Sequence, residues 1–179
     1  SVPLPDIYTV TATVNARSIG LKEGFEQLSD IACDKDGNLY MLSNDSRLFL
    51  VDGNYKLIRE ITVTNESGEV VDYAGAKGIY LSQRDSLIYI ADTSNGRVIA
   101  TDYNGRIVRS LEAPDSSVIP DDFQFIPFAM SMDSKGVLYV LSDGAYYGAL
   151  MFDKSDSFIG FYGANTVSAS PLTLLANLW

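Results

Sequence analysis

Histidine is missing from this 179-residue chain, and cysteine occurs once, at Cys33. Without histidine there is no imidazole to act as a general base or metal ligand, and no serine–histidine or cysteine–histidine pair. A single cysteine excludes an internal disulfide and leaves the redox compartment open. Basic residues are scarce: 13 Lys and Arg face 23 Asp and Glu, a net charge of −10. That balance repels a phosphate backbone and an anionic membrane surface, so nucleic acid and membrane insertion are not expected. No apolar run is long enough to span a bilayer, and no signal peptide opens the sequence. It opens instead on Ser-Val-Pro-Leu-Pro, the kind of linker that follows a removed signal or an anchor. Asn44 and Asn65 head N-x-S triplets, which arise too often by chance to carry weight.

What is present is an apolar fraction of 46%, which argues against disorder, and 11 tyrosines, which favour strands. Residues 87–111 set the plan for the rest. LIYIAD, the turn DTSNG, RVIATD, the hairpin dipeptide Asn104-Gly105 and RIVR read as three short strands and two turns. The plan recurs. The unit 28–63 holds SDIACD, NLYMLS, RLFLVD and KLIREITV. The unit 77–112 places KGIYLS ahead of the central stretch. The unit 128–162 holds FAMSMD, VLYVLS, GALMFD and SFIGFY. Tyr40, Tyr89 and Tyr139 hold one place in the second strand, 49 and 50 residues apart. Asp52, Asp102 and Asp153 end the third strand, 50 and 51 apart, and Gly37 and Gly136 sit in matching turns. Four strands per unit at this period predict an all-β β-propeller with about three blades. A two-sheet sandwich is the structural alternative, but it does not explain the period.

The remaining segments frame the repeats. Residues 64–76 and 113–127 are long connections, the second with three prolines. Residues 6–14 (DIYTVTATV) alternate as a strand without a nearby partner, and 15–27 read as a connection. Ser170-Pro171 predicts the start of a short helix over 170–179, with Leu172, Leu174, Leu175, Leu178 and Trp179 on its apolar side. The sequence ends inside that helix, so a remainder is expected beyond it. A closed propeller needs about 4–8 blades. The expectation is therefore a single domain over 1–179 that forms an incomplete ring, part of a six-bladed propeller, with strand 6–14 completing a blade absent from this sequence. Open blade faces predict self-association, and two copies would supply six blades about a two-fold axis.

The second repeat resembles the NHL repeat, a propeller-blade motif. Gly78-Ile79, then Leu87-Ile88-Tyr89-Ile90-Ala91-Asp92, then Asn95-Gly96-Arg97-Val98, then Asp102-Tyr103-Asn104-Gly105 follow that pattern in order. Repeat one keeps Asp34, Gly37, Leu39-Tyr40 and Asp52, with Ser43 in place of the aspartate. Repeat three keeps Asp133, Gly136, Leu138-Tyr139 and Asp153, with Ser142 there. The resemblance covers roughly residues 28–162 and implies an NHL-type propeller. Members of this fold include RNA-binding domains, lactonase-like metal hydrolases, lyases and many bacterial extracytoplasmic proteins. With the opening linker, the expectation is a bacterial chain outside the cytoplasm, secreted or anchored.

Several residues invite a functional reading, each beside a structural one. Asp34-Lys35-Asp36-Gly37-Asn38 has the look of a calcium loop, but glycine comes fourth rather than sixth and Asp45 stands where a bidentate glutamate is needed, so a hairpin turn is expected. Asp92 and Asn95 could be a polar pair on the propeller face; the structural reading is that they cap turn amides while Arg97 pairs locally. Lactonase-like relatives hold a metal in the channel, and this resemblance implies a site on the innermost strands. Those strands open on Ser29-Asp30, Lys77-Gly78 and Phe128-Ala129, so only Asp30 offers a ligand and Lys77 opposes a cation. No metal or other cofactor is expected. Cys33 reads as a small core residue rather than a nucleophile.

The two long connections emerge on one face with the loop around Tyr146 and Tyr147, and loops on a rigid scaffold are where binding usually resides. Tyr73, Phe123, Phe125, Tyr146 and Tyr147, with Asp121 and Asp122, are the candidate rim for a protein, peptide or glycan. Alternatively these aromatics cover the ends of the core. The reading is a non-enzymatic binding or scaffolding module. The alternative is a metal-dependent hydrolase- or lyase-like enzyme whose site is completed by blades absent here.

Overall fold

The computed structural model describes residues 13–145 and 148–163. They form three four-stranded antiparallel sheets, each wound in chain order. Blade 1 comprises β1 (Leu28–Cys33), β2 (Leu39–Ser43), β3 (Arg47–Val51) and β4 (Leu57–Ile61). Blade 2 comprises β5 (Gly78–Ser82), β6 (Leu87–Asp92), β7 (Arg97–Thr101) and β8 (Ile107–Leu111). Blade 3 comprises β9 (Ile126–Met132), β10 (Leu138–Asp143), β11 (Ala149–Phe152) and β12 (Phe158–Tyr162). The architecture is propeller-type, and among the described residues no sheet closes into a ring. The expected strand at 6–14 and helix at 170–179 fall almost wholly outside the described residues; Thr13 and Val14 are not in a strand.

Register explains the repeat. Tyr40 pairs with Ala32 and Leu50, Tyr89 with Tyr80 and Ala100, and Tyr139 with Ser131 and Met151, so the three tyrosines are equivalent in space. The recurring aspartates close the outer turns. Oδ1 of Asp52 accepts from the amides of Asn54 (2.9 Å) and Lys56 (2.8 Å). Asp102 and Asp153 repeat this with residues two and four positions on. The same geometry holds Asp34, whose carboxylate takes the amides of Asp36 and Asn38 and the Asn38 side chain, all at 2.9 Å. The run 34–38 is therefore a turn whose acid is committed to its own backbone.

Strand alternation sorts the side chains between blades. Tyr40, Leu42 and Leu48 of blade 1 meet Ile79, Ile88, Ile90 and Ile99 of blade 2 in one cluster. Tyr89, Val98 and Ala100 on the other face of blade 2 meet Leu138, Val140, Leu150 and Phe152 of blade 3. Each fully buried aliphatic chain contributes about 1.5–3 kcal/mol, so these two seams dominate stability. Backbone bonds reinforce the first: Thr64 N donates to Gly105 O (2.9 Å), and Ile107 N donates to Thr64 O (2.8 Å). Arg109 reinforces the second, bonding Asp85 and the Tyr89 hydroxyl in blade 2 and Asp156 in blade 3.

Three details depart from expectation. Residues 15–27 contain a four-residue helix, α1 (Ala16–Ile19), with Asn15 and Ser18 in a capping box. Its Ile19, with Leu21 and Phe25, covers Met41, Phe49 and Val51 on the outward face of blade 1. Strand β9 starts at Ile126 and includes Pro127; the proline is tolerated because β9 is an inner edge strand and the ladder shifts register there. Cys33 is exposed, not a core residue. Ala32 takes the seam position in β1, and alternation sends Cys33 to the opposite side, beyond the reach of the α1 segment.

Candidate functional site

The long connections and the turns between second and third strands come together on one face, fixed by hydrogen bonds. Asn44 N donates to Gln27 O (3.0 Å), and Asn44 O accepts from Gly75 N (2.7 Å). The Ser46 hydroxyl donates to Asp72 Oδ1 and accepts from Tyr73 N. That hydroxyl and the Ala74 amide hold the Asp72 carboxyl below its ordinary value. In blade 2, Asn95 Nδ2 bonds Asp92 Oδ1 (2.8 Å) and Asp72 O (3.2 Å), and Thr93 Oγ1 donates to Pro127 O (2.7 Å). In blade 3, Ile126 N donates to Ser142 Oγ (2.8 Å). Neighbouring blades are thus tied to each other at this face.

Two cavities open there. One, of about 370 Å³, is lined by Asp122, Phe123, Asp143, Ala145 and Phe161 among others. The second, of about 690 Å³, sits where the inner strands begin and is lined by Ser29, Asn44, Lys77, Phe128 and Asp143 among others. They share Ile126 and Asp143, so they adjoin. Both volumes fall in the range of small-ligand pockets.

The candidate rim divides. Asp122 and Phe123 line the first cavity, whereas Asp121 is exposed without lining either. Tyr73 and Phe125 supply no surface, being only 1% and 5% exposed. Tyr73 fills the seam between blades 1 and 2, where burial and the charges of Glu60 and Asp45 push its phenol far above the ordinary value. Phe125 packs between Phe123 and Phe152. For these two the core-covering reading is the correct one. Tyr146 and Tyr147 lie outside the described residues.

Of the channel pair, Lys77 lines the larger cavity. Asp30 does not: its carboxylate accepts from Ile31 N (2.8 Å) and, across the seam, from Ile79 N (3.0 Å), which makes it a stitch between inner strands. For Asp92 the local pairing of Arg97 is as expected, but the capping is not. It caps no turn amide; fully buried, it holds Asn95 and the Arg97 guanidinium (2.7 Å). Sequence reasoning missed Asn44, Asp143 and Phe128 as lining residues. The available signal was positional: Asn44 and Thr93 directly follow the second strand of their repeat, and Asp143 ends it.

No protein-family model matches this chain, and no curated protein matches it in sequence. Solved structures do resemble it. Hydrazine synthase of Kuenenia stuttgartiensis superposes at TM-score 0.56 with 13% identity over 88% of this chain. A catalytically inactive virginiamycin B lyase from Staphylococcus aureus with quinupristin gives 0.56 and 14% over 78%. A protein of unknown function from Bacteroides caccae gives 0.52 and 14% over 75%. The chain spans only 40%, 42% and 45% of those three chains. At such identities the likeness shows the propeller-type fold alone.

Proposed function

We propose that this chain is a non-catalytic binding module, of NHL type, whose ligand docks on the long-loop face. The observation that supports this reading is the pair of adjoining cavities on that face, in walls held by inter-blade hydrogen bonds. A preformed concave surface lowers the ordering cost of association. The rival reading, a hydrolase- or lyase-like enzyme, draws on the lyase among the structural neighbours. Among the described residues no three His, Cys, Asp or Glu side chains are placed to hold a metal ion, so a metal-dependent site would need residues beyond them.

Isotope-labelled protein titrated with mixtures of peptides and oligosaccharides tests the reading. Shifts confined to residues 73–77, 120–128 and 143–145 support it; shifts confined to the opposite turns, 34–38 and 133–137, refute it. Turnover of a bound compound on adding a divalent cation would establish the rival. Self-association of two copies would use the outward face of blade 3, where Leu141 and Tyr162 are 44% and 64% exposed, because α1 and its flanks already cover that of blade 1. Light scattering showing only the 19.5 kDa monomer would remove that proposal.

A further inference from the structure

Six of the thirteen cationic side chains make ion pairs or hydrogen bonds among the described residues. Arg47, Arg97 and Arg109 are ion-paired, and Lys56, Arg59 and Arg84 donate to backbone carbonyls. Lys77 is different. Its backbone N–H donates to Ala91 O (3.1 Å), which fixes it at the start of β5, while its ammonium has no partner among the described residues and lines the 690 Å³ cavity. Asn44 faces the same cavity from blade 1. Its backbone is held on both sides, by Gln27 and by Gly75, two residues before Lys77. Asn44 Oδ1 is buried and unpartnered, and neither its Nδ2 nor the Ser29 hydroxyl makes a hydrogen bond among the described residues. The polar wall is therefore rich in unused donors. Ile126 and Phe128 of blade 3 add apolar surface to the same cavity, with Phe128 39% exposed.

We infer that this cavity binds a monocarboxylate bearing an apolar or aromatic group, with Lys77 as counter-ion; the inference rests on the long-loop face being the binding face. The ammonium, the Asn44 amide N–H and the Ser29 hydroxyl supply donors to carboxylate oxygens, and charge-assisted bonds of this kind are the stronger class. Ile126 and Phe128 take the apolar body. Asp143, unpaired with any cation among the described residues, lines the same space and repels an anion in proportion to its charge, which disfavours a phosphate dianion more than a monocarboxylate. The shared chemistry fits a free organic carboxylate or the C-terminus of a peptide.

The test titrates the full chain with N-acetyl-phenylalanine and with its uncharged amide, by calorimetry and chemical-shift mapping. The expected result is perturbation at Asn44, Lys77 and Phe128 by the acid, with the amide at least about tenfold weaker. Lys77→Met should abolish that preference at an unchanged melting temperature, because Lys77 is exposed. A tetrapeptide ending in phenylalanine that binds more tightly than the acetyl derivative assigns the ligand to peptide termini; equal affinity assigns it to free carboxylates. Equal binding of acid and amide at these residues overturns the carboxylate inference and leaves the binding face standing. Shifts confined to the turns at 34–38 and 133–137 overturn both. Silence from both compounds at millimolar concentration overturns the ligand class, and the broader peptide and oligosaccharide titration then decides the face.

Discussion

Replacing Gly78 with alanine should weaken the joint between blades 2 and 3 through contact alone. A Cβ at this position falls 2.3 Å from the Phe128 carbonyl oxygen, 3.1 Å from its carbonyl carbon and 3.3 Å from Ala129 Cα. All three atoms belong to the backbone of β9, so no side chain can swing aside. Ordinary contact begins near 3.4 Å, so the inner strands must part by about 1 Å. Gly78 does not adopt a left-handed backbone, and no torsional penalty adds to this. Overpacking against a well-packed core costs about 1–3 kcal/mol, and a backbone obstacle places this case at about 2–3 kcal/mol. In a chain of this size that lowers the melting midpoint by about 4–12 °C. Thermal unfolding followed by circular dichroism measures it, with Gly24→Ala as the control. Nothing lies within 4 Å of a Cβ at Gly24, so that variant should stay within about 0.5 kcal/mol of the parent. If Gly78→Ala melts with the parent and the control, the close approach of β5 and β9 is wrong.

Other consequences follow from polar groups in and beside the seams. Tyr73→Phe should be neutral or stabilise by about 1 kcal/mol, because the Tyr73 hydroxyl is buried without a partner among the described residues; destabilisation on that scale in a denaturant titration would mean the hydroxyl is bonded. Asp92→Ala should cost about 2–3 kcal/mol by the same titration, since it strands Arg97 and Asn95; the loss stays below that of a fully buried charge because the Arg97 side chain keeps 26% of its surface in water. For Asp85, burial raises the pKa, but hydrogen bonds from Ser82 and Tyr89 and the Arg109 charge outweigh it and hold the carboxyl below 3.8. A carboxyl depressed on folding stabilises the fold fully above its unfolded value and loses that contribution as pH falls through the folded one. Stability from Asp85 should therefore persist down to about pH 4 and vanish below it, and Asp85→Asn should flatten the acid limb of a melting-temperature profile. An acid limb unchanged in that variant would refute the assignment.

Legibility in the sequence tracked how local each interaction is. The blade period, the twelve strands and the turns capped by Asp34, Asp52, Asp102, Asp133 and Asp153 depend on alternation and on bonds reaching two to four residues along the chain. Such patterns are written in consecutive residues, and repetition at a near-constant interval makes them stand out. The candidate site was legible only in part: that Phe123, Asp122 and Lys77 lie on the long-loop face, where two cavities open, followed from blade connectivity.

The sequence by itself determined the four-stranded unit, its recurrence and the side of the blades on which the long connections emerge. Tertiary structure decided what those loops do with their side chains. Tyr73 and Phe125 are aromatic loop residues like Phe123, yet packing of blade against blade buries them. Asp30 became a stitch because Ile79 N, 49 positions away, arrives within 3.0 Å. Asn44, Lys77 and Phe128 share a cavity because the inner strands of the three blades start side by side and the β2–β3 turn is bonded to Gln27 and Gly75 beside them. Each outcome depends on the spacing between sheets. That spacing is set jointly by all the side chains of a seam and by small residues such as Gly78, and no short stretch of sequence encodes it.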